Sequence, residues 1–143
     1  MAFHPIDRDT WDRAERFEHY FSQVPCFYSR TVDLDVTELK RRGGRFYPAV
    51  LYRLAVIFNQ HREFRIAFNE EGVLGWYDQL SPSYTVFHPD TESFSCLWTE
   101  YTPDLSAFLQ RYEEDLRLYG RVESFEAKPH TPPNVFNVSM IPW

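Results

Sequence analysis

The sequence lacks the features that mark disulfide-rich, secreted or membrane-spanning proteins. Only two cysteines, Cys26 and Cys96, occur in 143 residues, and they stand far apart outside any Cys-x-x-Cys spacing. Reduced thiols of a cytoplasmic protein are the simplest interpretation. No apolar run reaches the roughly eighteen residues of a membrane span, and the N-terminus lacks a signal peptide's apolar region. We therefore predict a cytoplasmic protein with no membrane partner.

Positive charge and metal-ligating patterns are scarce too. The formal net charge is −6, and nucleic-acid binding needs clustered cations. The five histidines pair with no His, Cys or carboxylate at a metal-ligand spacing, so we expect neither a nucleic-acid partner nor a metal. No Gly-rich phosphate loop or Gly-x-Ser-x-Gly elbow occurs. His88-Pro89-Asp90 could form a dyad, but a strand end leading into a turn explains it better.

Aromatic residues, in contrast, are abundant at 18%. An aromatic-rich core is one explanation and an aromatic-lined ligand pocket is another. Hydrophobic content of 43% with 25% charged residues is ordinary for one soluble domain. We expect that domain to cover residues 1–143.

In the first half, the spacing of apolar residues predicts helices before and after one strand. Asp9 and Thr10 can cap a helix through about Gln23, and residues 26–33 form an aromatic, β-branched run that predicts a strand. Asp35 predicts a short helix, stopped by Gly43-Gly44. Residues 46–68 contain the central stretch. Pro48 suits a first helical position, and the apolar run behind it predicts a core helix buried all round.

In the second half, apolar and polar residues first alternate at a period of two, which predicts strands, and a helical spacing then follows. Two hairpins are predicted, joining residues 65–68 to 73–77 and 84–88 to 93–100. Thr102-Pro103-Asp104 predicts the start of a helix, with Thr102 as its cap, Pro103 at the first position and Asp104 as an early acid. The apolar stripe of this helix runs from Leu105 to Tyr119, and the helix ends at Gly120. A loop follows at residues 128–133, and the whole pattern indicates an α+β fold.

The last ten residues predict a strand with two unlike faces. Phe136, Val138 and Met140 share an apolar face, while Asn137 and Ser139 share the other. Ser139 could donate its hydroxyl to an anion or merely bond to backbone. The chain then stops on apolar residues, which we interpret as a truncation after about two thirds of a domain.

Several motifs, in order, resemble chloramphenicol acetyltransferase of the trimeric, catalytic-histidine type. The similarity runs from about residue 5 to the last residue, and its motifs are Trp11-Asp12-Arg13, Pro25-Cys26, Phe46-Tyr47-Pro48, Glu63-Phe64-Arg65, Tyr84 to His88, Thr91 to Ser95 and Asn137-Val138-Ser139 with Pro142-Trp143. The resemblance implies a two-layer α/β sandwich of the CoA-dependent acyltransferase type, truncated at its C-terminus. It also implies a homotrimer with active sites at the subunit interfaces, in the cytoplasm.

The implied reaction is acetyl transfer from acetyl-CoA to the primary hydroxyl of chloramphenicol, which confers antibiotic resistance. The family's base is a histidine in a His-His-x-x-x-Asp-Gly motif, which these 143 residues do not contain. The base would lie beyond them, and we expect the chain alone to be inactive.

The resemblance also assigns individual residues. Ser139 matches the serine that bonds the oxyanion. Tyr47 and Asn137 match positions on the CoA side, and Arg13 matches a structural arginine that pairs with the motif's Asp. The positions that match the antibiotic pocket are Tyr20, Val24, Cys26, Tyr28, Thr85, Phe94 and Phe125. His19 departs from a commonly apolar pocket position. Two alternatives stay open, namely an inactive ligand-binding module and a CoA-dependent acyltransferase with another acceptor.

Overall fold

A computed structural model describes residues 2–41, 43 and 45–140 as an α+β arrangement of helices and two small sheets. The helices are α1 (Ala14–Glu18), α2 (Thr37–Arg41), α3 (Phe46–Gln60) and α4 (Leu105–Tyr119). A π-helical turn (His19–Gln23) extends α1, and a 3-10 turn (Arg62–Arg65) follows α3. The strands are β1 (Phe3–Pro5), β2 (Ile66–Phe68), β3 (Leu74–Tyr77), β4 (Ser81–His88), β5 (Ser93–Trp98) and β6 (Val135–Val138).

Both predicted hairpins are confirmed. β2 and β3 pair antiparallel with Phe68 opposite Leu74, and β1, which the sequence did not predict, adds to the other edge of β3. β4 and β5 pair antiparallel with His88 opposite Ser93, so residues 89–92 form the turn. The interpretation of His88-Pro89-Asp90 as a strand end entering a turn is therefore correct.

The second sheet has the order β5-β4-β6, with β6 parallel to β4. Its core face packs against α3 and α4, where Leu51, Tyr84, Leu97 and Phe108 are at most 1% exposed. Because side chains alternate along a strand, the residues beside Tyr84 and Leu97 in sequence point to the opposite face. That opposite face carries the candidate site described below.

The helix α3 is less buried than predicted. Leu51 and Ala55 are fully buried, but Ile57 is 46% exposed and Arg53 lies on the same outer side. Among the described residues, the sheet and α4 cover one side of α3 and leave Ile57 and Arg53 exposed, so an apolar sequence here does not mean burial all round. The helix also begins two residues earlier than predicted, which places Pro48 at its third position, still within the first turn, where an N–H has no intrahelical partner.

The N-terminal third departs most from prediction. The first helix begins at Ala14, later than predicted, and none of its residues is buried. In the turn before it, the Asp7 carboxylate accepts hydrogen bonds from the Asp9 N–H and the Thr10 hydroxyl, so neither Asp9 nor Thr10 caps the helix. Residues 26–33 form no strand among the described residues; Phe27 and Tyr28 are more than 90% exposed. A strand requires a partner for its N–H and C=O groups, and no described strand pairs with this segment.

Of the predicted helix caps, the one before α2 is confirmed. The Asp35 carboxylate accepts from the Thr37 N–H at 2.9 Å ahead of α2. The predicted stop at Gly43-Gly44 lies partly outside the described residues, since only Gly43, with φ +69°, is described. For α4 the predicted cap is wrong by two residues: Asp104, not Thr102, is the cap and accepts from the Ala107 N–H at 2.7 Å, so the helix begins at Leu105. Leu105, predicted in the buried stripe, is 43% exposed at this first turn.

Candidate active site

The centre of the candidate site is the end of β6, beside the middle of β4. The parallel register sets Ser83 opposite Asn137 and Tyr84 opposite Val138, so the next residue, Ser139, lies beside Thr85. The two hydroxyl oxygens are 3.4 Å apart, at the outer limit of a hydrogen bond. The strand pairing thus joins a predicted oxyanion donor to a predicted acceptor-pocket residue.

Tyr47, in the first turn of α3, contacts this cluster. Its hydroxyl donates to the carbonyl oxygen of Val138 at 3.3 Å, which holds the peptide that precedes Ser139. Burial raises the pKa of the Tyr47 phenol, and hydrogen bonding with Thr85 opposes that rise. The phenol therefore stays protonated at neutral pH and acts as a donor. Tyr47 also packs edge-on against Tyr84, with ring centroids 5.9 Å apart.

Two aromatic side chains extend the same sheet face. Thr85 is opposite Cys96 in the antiparallel register, and Phe94 is two residues from Cys96 on the same side of β5. The ring of Phe125 lies edge-on to Phe94 at 6.1 Å between centroids. Phe94 is 49% and Phe125 65% exposed, so the pair forms an open apolar surface rather than a filled core. This face therefore combines hydroxyl donors with an aromatic wall.

The remaining predicted site residues lie on the N-terminal segment. Arg13 and Tyr20 line an open cleft of about 1000 Å³ together with Phe17 and Phe21. No carboxylate of the described residues pairs with Arg13. Val24, Cys26 and Tyr28 are exposed, and within the described part of the chain no hydrogen bond or ring contact links them to the Ser139 cluster. It therefore stays a prediction that the seven positions assigned to the antibiotic pocket line a single pocket.

His19, which departs from the family pattern, is exposed beside Tyr20. Its Nδ1 lies 3.2 Å from the Gln23 side-chain oxygen, and both residues line a smaller cleft of about 380 Å³. Its ring also meets Tyr20 edge-on at 4.9 Å. A polar side chain thus stands next to one of the positions assigned to the antibiotic pocket.

The sequence interpretation missed a buried polar network behind the sheet. The Tyr84 and Thr99 hydroxyl oxygens are 2.9 Å apart, Thr99 donates to Asp115 at 2.8 Å, and Lys128 donates to Asp115 at 2.6 Å. Burial strongly raises the pKa of the Tyr84 phenol. A signal was available, since Asp115 stands at helical spacing from the buried Phe108 and Tyr112.

No group of three or more His, Cys, Asp or Glu side chains among residues 2–41, 43 and 45–140 is arranged to hold a metal ion. Within the same residues, no helix has both the length and the apolar content that a bilayer crossing requires.

Comparison with known proteins identifies the family. The family model described as chloramphenicol acetyltransferase matches residues 1–143. A chloramphenicol acetyltransferase of Clostridium perfringens is 54% identical over 143 residues, which is all of this chain and 69% of that protein. One from Campylobacter coli is 48% identical over the same shares. A solved chloramphenicol acetyltransferase structure superposes with a TM-score of 0.70 at 17% identity, over 96% of this chain and 69% of that one, which supports the fold. The chain belongs to the chloramphenicol acetyltransferase family.

Proposed function

We propose that this protein transfers the acetyl group of acetyl-CoA to the primary hydroxyl of chloramphenicol and thereby inactivates the antibiotic. Membership of the family supports the reaction. The observation that carries the assignment of residues is the cluster of Tyr47, Thr85 and Ser139 where the end of β6 meets the middle of β4. Hydroxyl donors next to an exposed aromatic wall suit an acceptor that has an aryl ring and a reacting hydroxyl.

In the proposed reaction a base removes the proton of the acceptor hydroxyl as its oxygen attacks the thioester carbonyl. The carbon becomes tetrahedral and its oxygen gains negative charge. Collapse breaks the carbon–sulfur bond and forms the acetyl ester, and the leaving thiolate takes up the proton held by the base, which releases CoA as its thiol. Ser139 donates to that oxygen, where a preorganised donor is worth about 3 kcal/mol of barrier. The base is the histidine of the family motif, which is not among these 143 residues.

The other assigned residues have supporting roles in this proposal. Tyr47 and Asn137 are assigned to CoA. The Tyr47 hydroxyl holds the Val138 peptide, and Asn137 precedes that residue on the exposed face of β6. Phe94 and Phe125 pack against the acceptor, together with the N-terminal positions Tyr20, Val24, Cys26 and Tyr28. Arg13 pairs with the acidic residue of the histidine motif, which fits an arginine that has no carboxylate partner among the described residues.

We further infer a cytoplasmic homotrimer whose active sites lie between subunits. The sheet face that carries Thr85 supports this, because Phe87 and Phe94 on it are 53% and 49% exposed. A neighbouring subunit would cover these rings and bring its histidine to Ser139. Size-exclusion chromatography with light scattering on the full-length protein should give three copies, whereas a monomer that remains active would exclude an interfacial site.

The activity is tested by release of free thiol from acetyl-CoA in the presence of chloramphenicol, using the full-length protein. We expect turnover that depends on both substrates, together with a 3-O-acetyl product identified by mass spectrometry and NMR. Binding of chloramphenicol without thiol release would favour the inactive binding module. Thiol release with a different hydroxyl acceptor but not with chloramphenicol would favour another acyltransferase.

A further inference from the structure

A buried ion pair connects α4 to the loop that follows it. The Lys128 ammonium donates to the Asp115 carboxylate at 2.6 Å and to the Trp98 carbonyl at 3.2 Å, and it lies 3.9 Å from the centre of the Trp98 ring. The side chains of Lys128 and Asp115 are only 18% and 11% exposed. One ammonium group therefore ties the loop to a helix and to the end of β5 at once.

The loop continues directly into a short strand-like contact with β5. The Cys96 N–H donates to the Phe125 carbonyl at 2.6 Å, and the Ala127 N–H donates to the Cys96 carbonyl at 3.0 Å. These two bonds form an isolated parallel bridge between Cys96 and Glu126. Residues 125–127 thus form an edge segment beside β5, and Lys128 is the residue that follows it.

This edge segment has few other anchors. Ala127 is buried in the main core, but Phe125 is 65% exposed and no regular strand surrounds it. The chain beyond Lys128 contains Pro129, Pro132 and Pro133, which have no N–H to donate to a ladder. The position of the Phe125 ring against Phe94 therefore depends on the bridge and on the charge pair beside it.

We propose that the Lys128–Asp115 pair is a positioning device for the acceptor site, which holds residues 125–127 against β5 and so sets the place of Phe125. This inference rests on the proposed function, since it assigns Phe125 to the wall that contacts chloramphenicol. Among the described residues, Lys128 and Asp115 make no hydrogen bond or ion pair with Ser139. Their effect passes through the backbone of the edge segment to the aromatic wall.

Three variants of the pair and one control separate positioning from mere stability. Lys128→Met removes the ammonium but leaves the Asp115 carboxylate buried without its cation, which destabilises a fold. The double variant D115N/K128M removes both charges and avoids that penalty, and Lys128→Arg keeps the cation. Arg111→Met is the matched control, because Arg111 pairs with Glu100 at 2.9 Å and also ties α4 to the chain after β5. This pair lies at the surface, and among the described residues Arg111 makes no hydrogen bond or ion pair with residues 125–127.

The first measurement is steady-state kinetics of the full-length protein. Loss of one aromatic wall contact should raise the KM for chloramphenicol about five-fold in Lys128→Met and in the double variant, with kcat and the KM for acetyl-CoA nearly unchanged. Lys128→Arg should recover most of the wild-type KM, and Arg111→Met should not change it. An unchanged chloramphenicol KM in the double variant would overturn the inference while the proposed function stands.

The second measurement does not depend on turnover. In the double variant, amide hydrogen exchange at Cys96 and Ala127 should accelerate about ten-fold, while the buried amides of α3 keep their wild-type rates. Equal acceleration throughout the core would mean that the pair only stabilises the fold, which would also overturn the inference. Wild-type protein that releases no thiol would instead refute the proposed function, and the role assigned to Phe125 with it.

Discussion

The hydroxyl oxygens of Thr85 and Ser139 lie 3.4 Å apart although 54 residues separate them in the chain. The parallel register of β4 and β6 creates this proximity, with Tyr84 opposite Val138 one step earlier. Tyr47 secures the same corner through the Val138 carbonyl. The arrangement orients one hydroxyl by another, which is the kind of preorganisation that an oxyanion donor requires.

Replacement of Ser139 tests its role as the oxyanion donor. In Ser139→Ala, kcat should fall about 100- to 1000-fold with little change in either KM, because the bond forms only as negative charge develops. The control is Ser106→Ala, at an exposed position on α4. Steady-state thiol release measures both variants. A loss confined to KM would mean that Ser139 binds substrate rather than the transition state.

Replacement of Thr85 tests the orienting hydroxyl. Thr85→Val keeps the shape but removes the bond to Ser139, and a net hydrogen bond of about 1 kcal/mol corresponds to a loss of about five-fold in kcat. Thr85→Ser should retain wild-type kcat, since it keeps the hydroxyl. If Thr85→Ser loses activity and Thr85→Val retains it, the methyl group rather than the hydroxyl is what matters.

Stability should depend on one face of α3 only. Leu51→Ala removes a fully buried side chain, which should lower the free energy of unfolding by about 2–5 kcal/mol in chemical denaturation. Ile57→Ala on the same helix is the control, because Ile57 is 46% exposed and its truncation should cost far less. Similar losses at both sites would show that the outer face of α3 is covered in solution.

Alkaline pH should destabilise the fold through buried phenols. Burial raises the pKa of Tyr112 to about 12, whereas an unfolded tyrosine ionises near 10. The folded state therefore keeps a proton that the unfolded state loses. Its full contribution to stability is present below pH ~10 and falls by about 1.4 kcal/mol per pH unit between pH ~10 and pH ~12.

Denaturant unfolding at several alkaline pH values measures this effect. Tyr112→Phe should show a shallower decline in unfolding free energy above pH ~10 than the wild type. Tyr28→Phe, at a side chain that is 91% exposed, should decline as the wild type does. Identical slopes for all three proteins would contradict the assignment to Tyr112.

The two cysteines should differ in reactivity. Cys26 is exposed, whereas Cys96 is half-buried and burial raises the pKa of its thiol, which lowers the thiolate fraction that reacts. Iodoacetamide should therefore label Cys26 first, as peptide mass spectrometry will show, and Cys26→Ser should remove the fast phase. Protection of Cys26 by chloramphenicol would support the N-terminal part of the proposed pocket, and faster labelling of Cys96 would contradict the burial argument.

Local sequence patterns predicted the elements that depend on interactions between residues close together in the sequence. The two hairpins, the cap at Asp35 and the helix that ends before Gly120 follow from turn residues, alternation and spacing. The alternation in the last strand also predicted that Phe136 is buried and Asn137 exposed, although β6 ends at Val138, one residue before Ser139. The motifs along the chain pointed to the family.

The tertiary structure decided what depends on partners distant in the chain. Residues 26–33 have the composition of a strand but no described strand pairs with them, and β1 forms although only three residues long because β3 offers it an edge. Asp115 lies on the buried side of α4, and its carboxylate is satisfied by Thr99 and Lys128, which lie outside that helix. The neighbours of a residue in the sequence predict which face of a strand its side chain occupies. The group that contacts it on that face belongs to a distant part of the chain, so only the folded structure places Ser139 beside Thr85.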